Sequence, residues 1–193
     1  TISGQADLLL TSEMGNTDKM VGYFTECREL GLQILPPDAN QSLKNFSVVP
    51  EGIRFGLVAI KNVGGNAADV ILESRNTEGP FSSFLDFCCR IDSQKVNKRV
   101  LEGLIKVGAF DSMGLARASL FQVLDEALDH ASSIQRNKRE GQTSLFEVLG
   151  PQPSTPKQDG FGFVIPQIPE WSQNELLKYE RELTGFYITA HPL

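Results

Sequence analysis

A short turn at residues 61–65 carries the groups best suited to binding a phosphate. It consists of Lys61, Asn62, Val63, Gly64 and Gly65. The apolar spacing on either side predicts helices over residues 57–61 and 67–75. A glycine turn leaves the first backbone N–H groups of the second helix without acceptors, and the helix dipole favours an anion there. With Lys61 beside it, the turn suits a phosphate oxygen, although a plain helix–helix turn would carry the same glycines.

The order of residues in this turn resembles the helix-hairpin-helix motif, in which Gly, an apolar residue and Gly are followed after three positions by Ala. Val63, Gly64 and either Ala67 or Ala68 fit that spacing, while Asn62 replaces the first Gly. The replacement is mild because Asn tolerates left-handed backbone angles better than other residues that have a Cβ. Such a hairpin would hold DNA by its backbone without reading base sequence.

A second and weaker hairpin is predicted around Gly108, between helices over residues 96–107 and 117–136. Residues 90–106 lead into it with five positive and two negative side chains, a net charge of +3 in an acidic chain. The DNA contacts expected in this region come from Lys95, Lys98, Arg99, Gly108 and Arg117. Two such hairpins in tandem would cradle the two backbones of a duplex.

A third candidate is the peptide at residues 142–146, which lies between Gly141 and a proline-rich stretch. Its residues are Gln142, Thr143, Ser144, Leu145 and Phe146. The predicted helical core has no evident place for Leu145 and Phe146, so they are suited to anchor the peptide in a partner's pocket while the glutamine amide supplies a directional hydrogen bond. A small local cap on the domain is the alternative interpretation.

The elements that must position these residues are mainly helical. Besides the helices named above, apolar periodicity and capping residues predict helices over residues 17–31, 84–90 and 170–183, the last ending at Gly185. Residues 46–55 alternate around Pro50, Glu51 and Gly52, which predicts a small β-hairpin. Proline and glycine without periodicity predict an extended linker over residues 151–169. Residues 186–189 are typical of a strand, the first of a further unit outside this chain. The fold class expected is therefore mainly α with a small β-hairpin, a tandem helix-hairpin-helix region, an extended Pro-rich linker and a C-terminal helix.

Composition and charge exclude several classes of function and of site. The chain has 193 residues and a net charge of −6, which excludes coating of nucleic acid by bulk charge but allows a local basic strip. No apolar run is long enough for a membrane span, so no membrane partner is expected. Three cysteines and two histidines make neither a disulfide framework nor a zinc site, which indicates a reducing cytoplasm.

Several motifs in order resemble the alpha subunit of the bacterial replicative DNA polymerase III, a C-family polymerase. They lie at residues 11–19, 35–38, 56–64, 97–100, 108–111 and 185–192, where they read TSEMGNTDK, LPPD, GLVAIKNVG, NKRV, GAFD and GFYITAHP. The resemblance covers residues 8–193, and residues 1–7 depart from it.

This resemblance implies a division of the chain and its partners. Residues 1–56 would be the end of the fingers region, 57–140 the tandem helix-hairpin-helix region, 141–150 the peptide that binds the sliding clamp, 151–169 a linker, and 170–193 a helix leading to an OB domain outside this chain. The expected partners are duplex DNA, the sliding clamp and the rest of the polymerase chain. The catalytic aspartates and Mg²⁺ belong to a palm domain that precedes this region in the family, so no cofactor and no catalysis are expected here.

Two other functions remain open on the residues alone. The hairpins could serve only as a structural scaffold that packs between polymerase domains without touching DNA. A base-excision glycosylase, with Asp86 as the aspartate that this class uses downstream of its hairpin, is disfavoured, because the second helix of the hairpin carries no lysine nucleophile and no four-cysteine cluster is present.

Overall fold

The computed structural model describes residues 22, 24–27, 29, 31–139 and 163–188. Helices dominate this part of the chain, which confirms the predicted mainly α fold with a small β element. The helices are α1 (Gly65–Glu78), α2 (Phe84–Arg90), α3 (Lys98–Lys106), α4 (Arg117–Gln122), α5 (Leu124–Arg139) and α6 (Gln173–Thr184). Short 3₁₀ turns lie at Leu57–Ala59 and Asp111–Met113, and residues 24–27 are helical.

The helix boundaries correct the sequence predictions in two places. The helix predicted over residues 57–61 is a single 3₁₀ turn, because Gly56 and Ile60 on either side of it have extended backbone angles. The helix predicted over residues 117–136 is broken at Val123, whose backbone angles leave the helical region, and so becomes α4 and α5. The helix predicted at 84–90 is confirmed as α2.

A three-stranded sheet covers one side of the helices. The predicted hairpin is confirmed, with β2 (Ser47–Val49) antiparallel to β3 (Gly52–Arg54). A strand that the sequence did not predict, β1 (Gln33–Leu35), pairs parallel to β3 on its other edge. The order β1–β3–β2 therefore places β3 in the centre of the sheet.

Phenylalanines fill much of the core between the sheet and the helices. Phe46 and Phe55 meet edge to face with ring centroids 4.7 Å apart, and Phe24 packs against both. A second group forms around Phe87 and Phe110, whose centroids lie 5.0 Å apart. Both groups belong to one continuous set of buried apolar residues, so the sheet and helices share a single core.

The chain from residue 163 to residue 188 packs back onto this core. Residues 163–172 are irregular, as expected for a linker, but Phe163 stacks 5.5 Å from His130 on α5 and is therefore held to the domain. A capping box between Ser172 and Glu175 starts α6 and Gly185, in the left-handed conformation, ends it. Residues 186–188 form no strand within the described chain, and the N–H of Ile188 bonds the buried Glu180 carboxylate. The strand expected at 186–189 would belong to a domain outside this chain and stays a prediction.

Candidate nucleic-acid interface

The first hairpin has the backbone conformation that the sequence predicted for it. Asn62 has a φ of 72°, so it occupies the left-handed region that the motif usually fills with glycine. The side chain of Val63 is buried, and its N–H bonds the carbonyl of Ile60 at 3.0 Å. Val63 thus fixes the turn from inside, while Lys61, Asn62 and Gly64 are exposed.

The start of α1 is open to an anion. Gly64 is the N-cap and has an extended backbone, but it offers no side-chain acceptor to the helix. Among the described residues, none accepts a hydrogen bond from the N–H groups of Gly65 and Asn66. Nothing lies within 4 Å of the position that a Cβ on Gly64 would take, so space for a ligand lies in front of these groups. Unpaired N–H groups and the positive end of a 14-residue helix together favour a phosphate oxygen.

Lys44 is a cation at this site that sequence reasoning missed. Its Nζ lies 3.6 Å from the position of a Cβ on Gly65 and bonds both carboxylate oxygens of Asp69 at 2.8 Å. Backbone hydrogen bonds from Leu57 to Leu43 and from Val58 to Lys44 hold its loop against the hairpin. No motif connects Lys44 with residues 61–65, so only the folded chain reveals this neighbour.

The basic stretch at residues 90–106 is divided between the two hairpins: α3 approaches the first hairpin, while Lys106 at its end lies at the second. Gly103 on α3 approaches the hairpin, because a Cβ there would lie 3.6 Å from the carbonyl oxygen of Lys61. Arg99 is one turn earlier on the same face of α3 and is exposed, so it lies near the hairpin. Lys95 is also exposed, just before α3 begins.

Lys98 differs from Arg99 because it is already paired within the protein. Its Nζ lies 2.7 Å from a carboxylate oxygen of Asp125, and both side chains are largely exposed. The hydrogen bond to Asp125 raises the pKa of Lys98. A phosphate would have to compete with that carboxylate, so Lys98 is a weaker candidate contact than Arg99.

A groove separates the hairpin from the end of α6. Its volume is about 550 Å³, and it is lined by residues 58–64 and 182–185. One hydrogen bond joins the two walls of the groove: the N–H of Lys61 donates to the carbonyl of Leu183 at 2.7 Å. Glu182 lines the same groove, and its negative charge makes this side of the hairpin unfavourable for a phosphate.

The second hairpin is closed by the protein itself. Gly108 has a φ of 83°, and the guanidinium of Arg117 fills the space where a side chain would project. Gly108 is buried, and its N–H bonds the carbonyl of Ile105 at 3.0 Å. This glycine therefore serves the close packing of Arg117 and offers no group to a ligand.

Arg117 is buried in an ion-pair network. Its guanidinium bonds Asp111 at 2.7 Å and the carbonyl of Lys106 at 3.0 Å, and it lies 3.5 Å from the carboxylate of Glu180, which is fully buried. Burial alone would lower the pKa of Arg117, but the hydrogen bonds and charges of Asp111 and Glu180 outweigh it and raise that pKa. The guanidinium has no face left for DNA, so we remove Arg117 from the proposed DNA contacts.

The acidic residues of the described chain indicate structural roles. Asp86, the aspartate of the glycosylase alternative, accepts hydrogen bonds from Ser82 and pairs with Arg90 at 3.3 Å. In the part of the chain that the structure describes, no three His, Cys, Asp or Glu side chains are grouped so as to hold a metal ion. No helix there is long and apolar enough to cross a membrane.

The peptide at residues 142–146 lies outside the described residues.

Comparison with known proteins gives the same identification as the motifs. The helix-hairpin-helix motif family matches residues 31–120. Proteins named DNA polymerase III subunit alpha are 42% identical over 184 residues in Borreliella burgdorferi, 42% over 186 in Vibrio cholerae and 40% over 186 in Escherichia coli. These alignments cover 95% to 96% of the chain, which spans only about 16% of the length of these relatives. The chain is therefore homologous to one segment of the DNA polymerase III alpha subunit, and residues 31–120 are a helix-hairpin-helix region.

Proposed function

We propose that this chain is a non-catalytic segment of a DNA polymerase III alpha subunit that binds the backbone of duplex DNA during replication. The observation that carries the proposal is the open start of α1, where Gly64 leaves N–H groups without acceptors beside the exposed Lys61. This hairpin lies inside the region that matches the helix-hairpin-helix motif. The proposed contacts are Lys61, Asn62, Gly64, Gly65 and Arg99. Lys95 is a further exposed cation just before α3, whereas Lys44, like Lys98, is a weaker candidate because it is already paired with a carboxylate, that of Asp69.

The proposed contacts bind phosphate groups of the DNA backbone and do not reach the base edges. Backbone N–H groups and flexible cations carry no information about base edges, so binding is independent of sequence. The net charge of −6 opposes DNA at long range, which keeps the affinity modest and strongly dependent on salt.

A salt titration with matched variants tests this function. Fluorescence anisotropy with a short labelled duplex gives the affinity of the 193-residue chain at several salt concentrations between about 0.05 and 0.2 M. The variant Lys61→Ala with Arg99→Ala is expected to bind every sequence more weakly, and the slope of log affinity against log salt falls by about two units. Arg136→Ala is the control, because Arg136 is exposed on α5, where the neighbouring Gln135 bonds the carbonyls of Cys89 and Ile91 at the end of α2.

The scaffold function is the alternative that the packing favours most. The N–H of Lys61 is bonded to Leu183, so the hairpin also ties α6 to the domain. If the double variant keeps both the affinity and the salt slope of the parent chain, the hairpin acts only in packing.

We further propose that residues 142–146 bind the sliding clamp and tether the polymerase to it. The support is the motif itself and the anchoring on either side of it, because α5 runs to Arg139 and Phe163 packs on His130 of the same helix. A peptide joined to the DNA-binding chain on both sides would link that chain to the clamp, so weak contacts add to persistent association. Burying Leu145 and Phe146 in a pocket is worth roughly 1.5 to 3 kcal/mol each before ordering costs.

Replacing Leu145 and Phe146 together by Ala is expected to abolish binding to purified clamp in a titration. The thermal midpoint should hardly change, because a docking peptide contributes little to its own domain. Equal clamp affinity for variant and parent would remove the tethering function, and a large fall in midpoint would place the pair in the core.

We propose that the protein acts in the cytoplasm, as part of a longer polymerase whose catalytic aspartates and Mg²⁺ lie in another domain. The chain itself then needs no cofactor. Primer extension by the pure 193-residue chain with Mg²⁺ and deoxynucleoside triphosphates would contradict this placement of the active site.

A further inference from the structure

The two hairpins differ at the start of their second helices. In the first, the N–H groups of Gly65 and Asn66 have no acceptor among the described residues. In the second, the carboxylate of Glu170 accepts hydrogen bonds from the N–H of Arg117 at 2.7 Å and of Ala118 at 3.0 Å. A side chain more than fifty residues away thus takes the groups that a hairpin of this kind would offer to a phosphate.

The charge around the second hairpin also disfavours the binding of DNA. Arg117 is buried and bound to Asp111 and Glu180, so it adds no accessible positive charge. The side chain of Asp111 is 46% exposed, and Glu170, which bonds the N–H of Arg117, is exposed as well. Two exposed carboxylates at this turn would repel a phosphate.

The second hairpin packs against residues 163–188 of the same chain. The N–H of Ile168 bonds Ser119 Oγ on α4 at 3.2 Å. Trp171 packs against Phe121 with ring centroids 5.5 Å apart and against Tyr179 at 4.9 Å. The ammonium of Lys106 lies 5.0 Å from the rings of both Phe121 and Tyr179, a distance that permits cation–π attraction.

We infer that the second hairpin is a docking surface for this chain's own residues 163–188, with Glu170 bound at the start of α4, and that it does not contact DNA. The inference rests on the proposed DNA-binding function and assigns the phosphate contacts to the first hairpin and Arg99. It also explains why Lys106, although basic, lies among aromatic rings instead of pointing to a ligand.

Placing one carboxylate at each hairpin in turn tests this assignment. Gly64→Asp adds a carboxylate at the N-cap of α1, where the backbone is extended and nothing lies within 4 Å of the new Cβ, so folding is not impaired. Gly64→Asn is the matched neutral control. Ser112→Asp adds the same charge at an exposed position of the second turn.

The readout is duplex affinity by anisotropy across a salt series with the whole chain. Gly64→Asp is expected to bind about tenfold more weakly than Gly64→Asn, with a salt slope lower by about one unit. Ser112→Asp is expected to stay within about twofold of the parent, since a charge outside the interface is largely screened at 0.1 M salt. Glu170→Gln is expected to lower the thermal midpoint without raising the affinity.

The outcomes separate this inference from the function on which it rests. A parent chain without salt-dependent DNA binding refutes the proposed function and the assignment with it. A parent chain that binds, together with a loss in Ser112→Asp as large as that in Gly64→Asp, refutes the assignment alone. A several-fold gain in affinity for Glu170→Gln would do the same, because it would mean that Glu170 shields a phosphate site.

Discussion

The ion-pair network of Arg117 allows a quantitative test of how the second hairpin is held to α6. Arg117→Met removes the guanidinium and leaves the carboxylate of Glu180, whose side chain is 0% exposed, without that positive charge. Removing one partner of a buried pair costs about 3 to 5 kcal/mol. The pair with Asp111 adds little, because the carboxylate there is half exposed.

Such a loss is a large fraction of the total stability of an ordinary domain, which is about 5 to 15 kcal/mol. For a chain of this size each kcal/mol lowers the thermal midpoint by about 2 to 4 °C, so the expected fall is about 6 to 20 °C. Urea unfolding followed by far-ultraviolet circular dichroism gives the free energy of unfolding directly. Lys98→Met is the control, because its pair with Asp125 is exposed to solvent and contributes little to stability.

A second substitution separates the effect of the buried charge on the free energy of unfolding from the effect of lost packing. Glu180→Gln removes the charge but keeps an oxygen that can accept the hydrogen bond from Ile188, so Arg117→Met with Glu180→Gln should be more stable than Arg117→Met alone. A single variant within about 1 kcal/mol of the parent would refute this reasoning. So would a double variant less stable than the single one.

Three other predictions concern local features. Ser172→Ala removes the cap of α6 and is expected to cost about 1 kcal/mol, measured by thermal unfolding. Hydrogen bonds from Ser172 hold the pKa of Glu175 below its usual value. Their stabilisation is present above the unfolded pKa and is lost as pH falls through the folded pKa, so the difference in stability between the two proteins should narrow in acid, with the cap of the Glu175 N–H by Ser172 Oγ remaining; a difference that does not change with pH would contradict this. Burial, with a smaller effect of Cys89, raises the pKa of Cys88, so iodoacetamide should modify Cys88 only after unfolding, as mass spectrometry would show. Asn62→Ala is expected to lower the free energy of unfolding by about 1 kcal/mol because its φ is left-handed, whereas Asn62→Gly should not; equal losses would argue against that conformation.

Sequence patterns predicted those structural features that depend on interactions between residues close together in the chain. The left-handed residue at Asn62, the helix over residues 84–90, the hairpin between β2 and β3 and the end of α6 at Gly185 each depend on residues close in the chain. Strand β1 was missed because its three residues are stabilised by pairing with β3 nearly twenty residues later. A pattern that short has no signal of its own.

The candidate site shows the same limit more sharply. Basic residue type suggested Arg117 as a DNA contact, but its burial depends on Glu180, sixty-three residues away, which no spacing rule connects to it. Lys44 was missed for the converse reason, because long-range backbone hydrogen bonds bring it to the hairpin. Residue type thus indicated the kind of ligand, while the tertiary fold decided which cations remain accessible to it.

The most direct test of the account is to observe the backbone amides of both hairpins while duplex DNA is added. A titration of the isotopically labelled chain, followed by proton–nitrogen correlation spectra, reports each N–H group separately. The account predicts that the signals of Gly64, Gly65 and Asn66 shift progressively with DNA, while those of Arg117 and Ala118 stay in place because Glu170 holds them. Shifts confined to Arg117 and Ala118, or no shift at the first hairpin when the duplex is in excess, would contradict it.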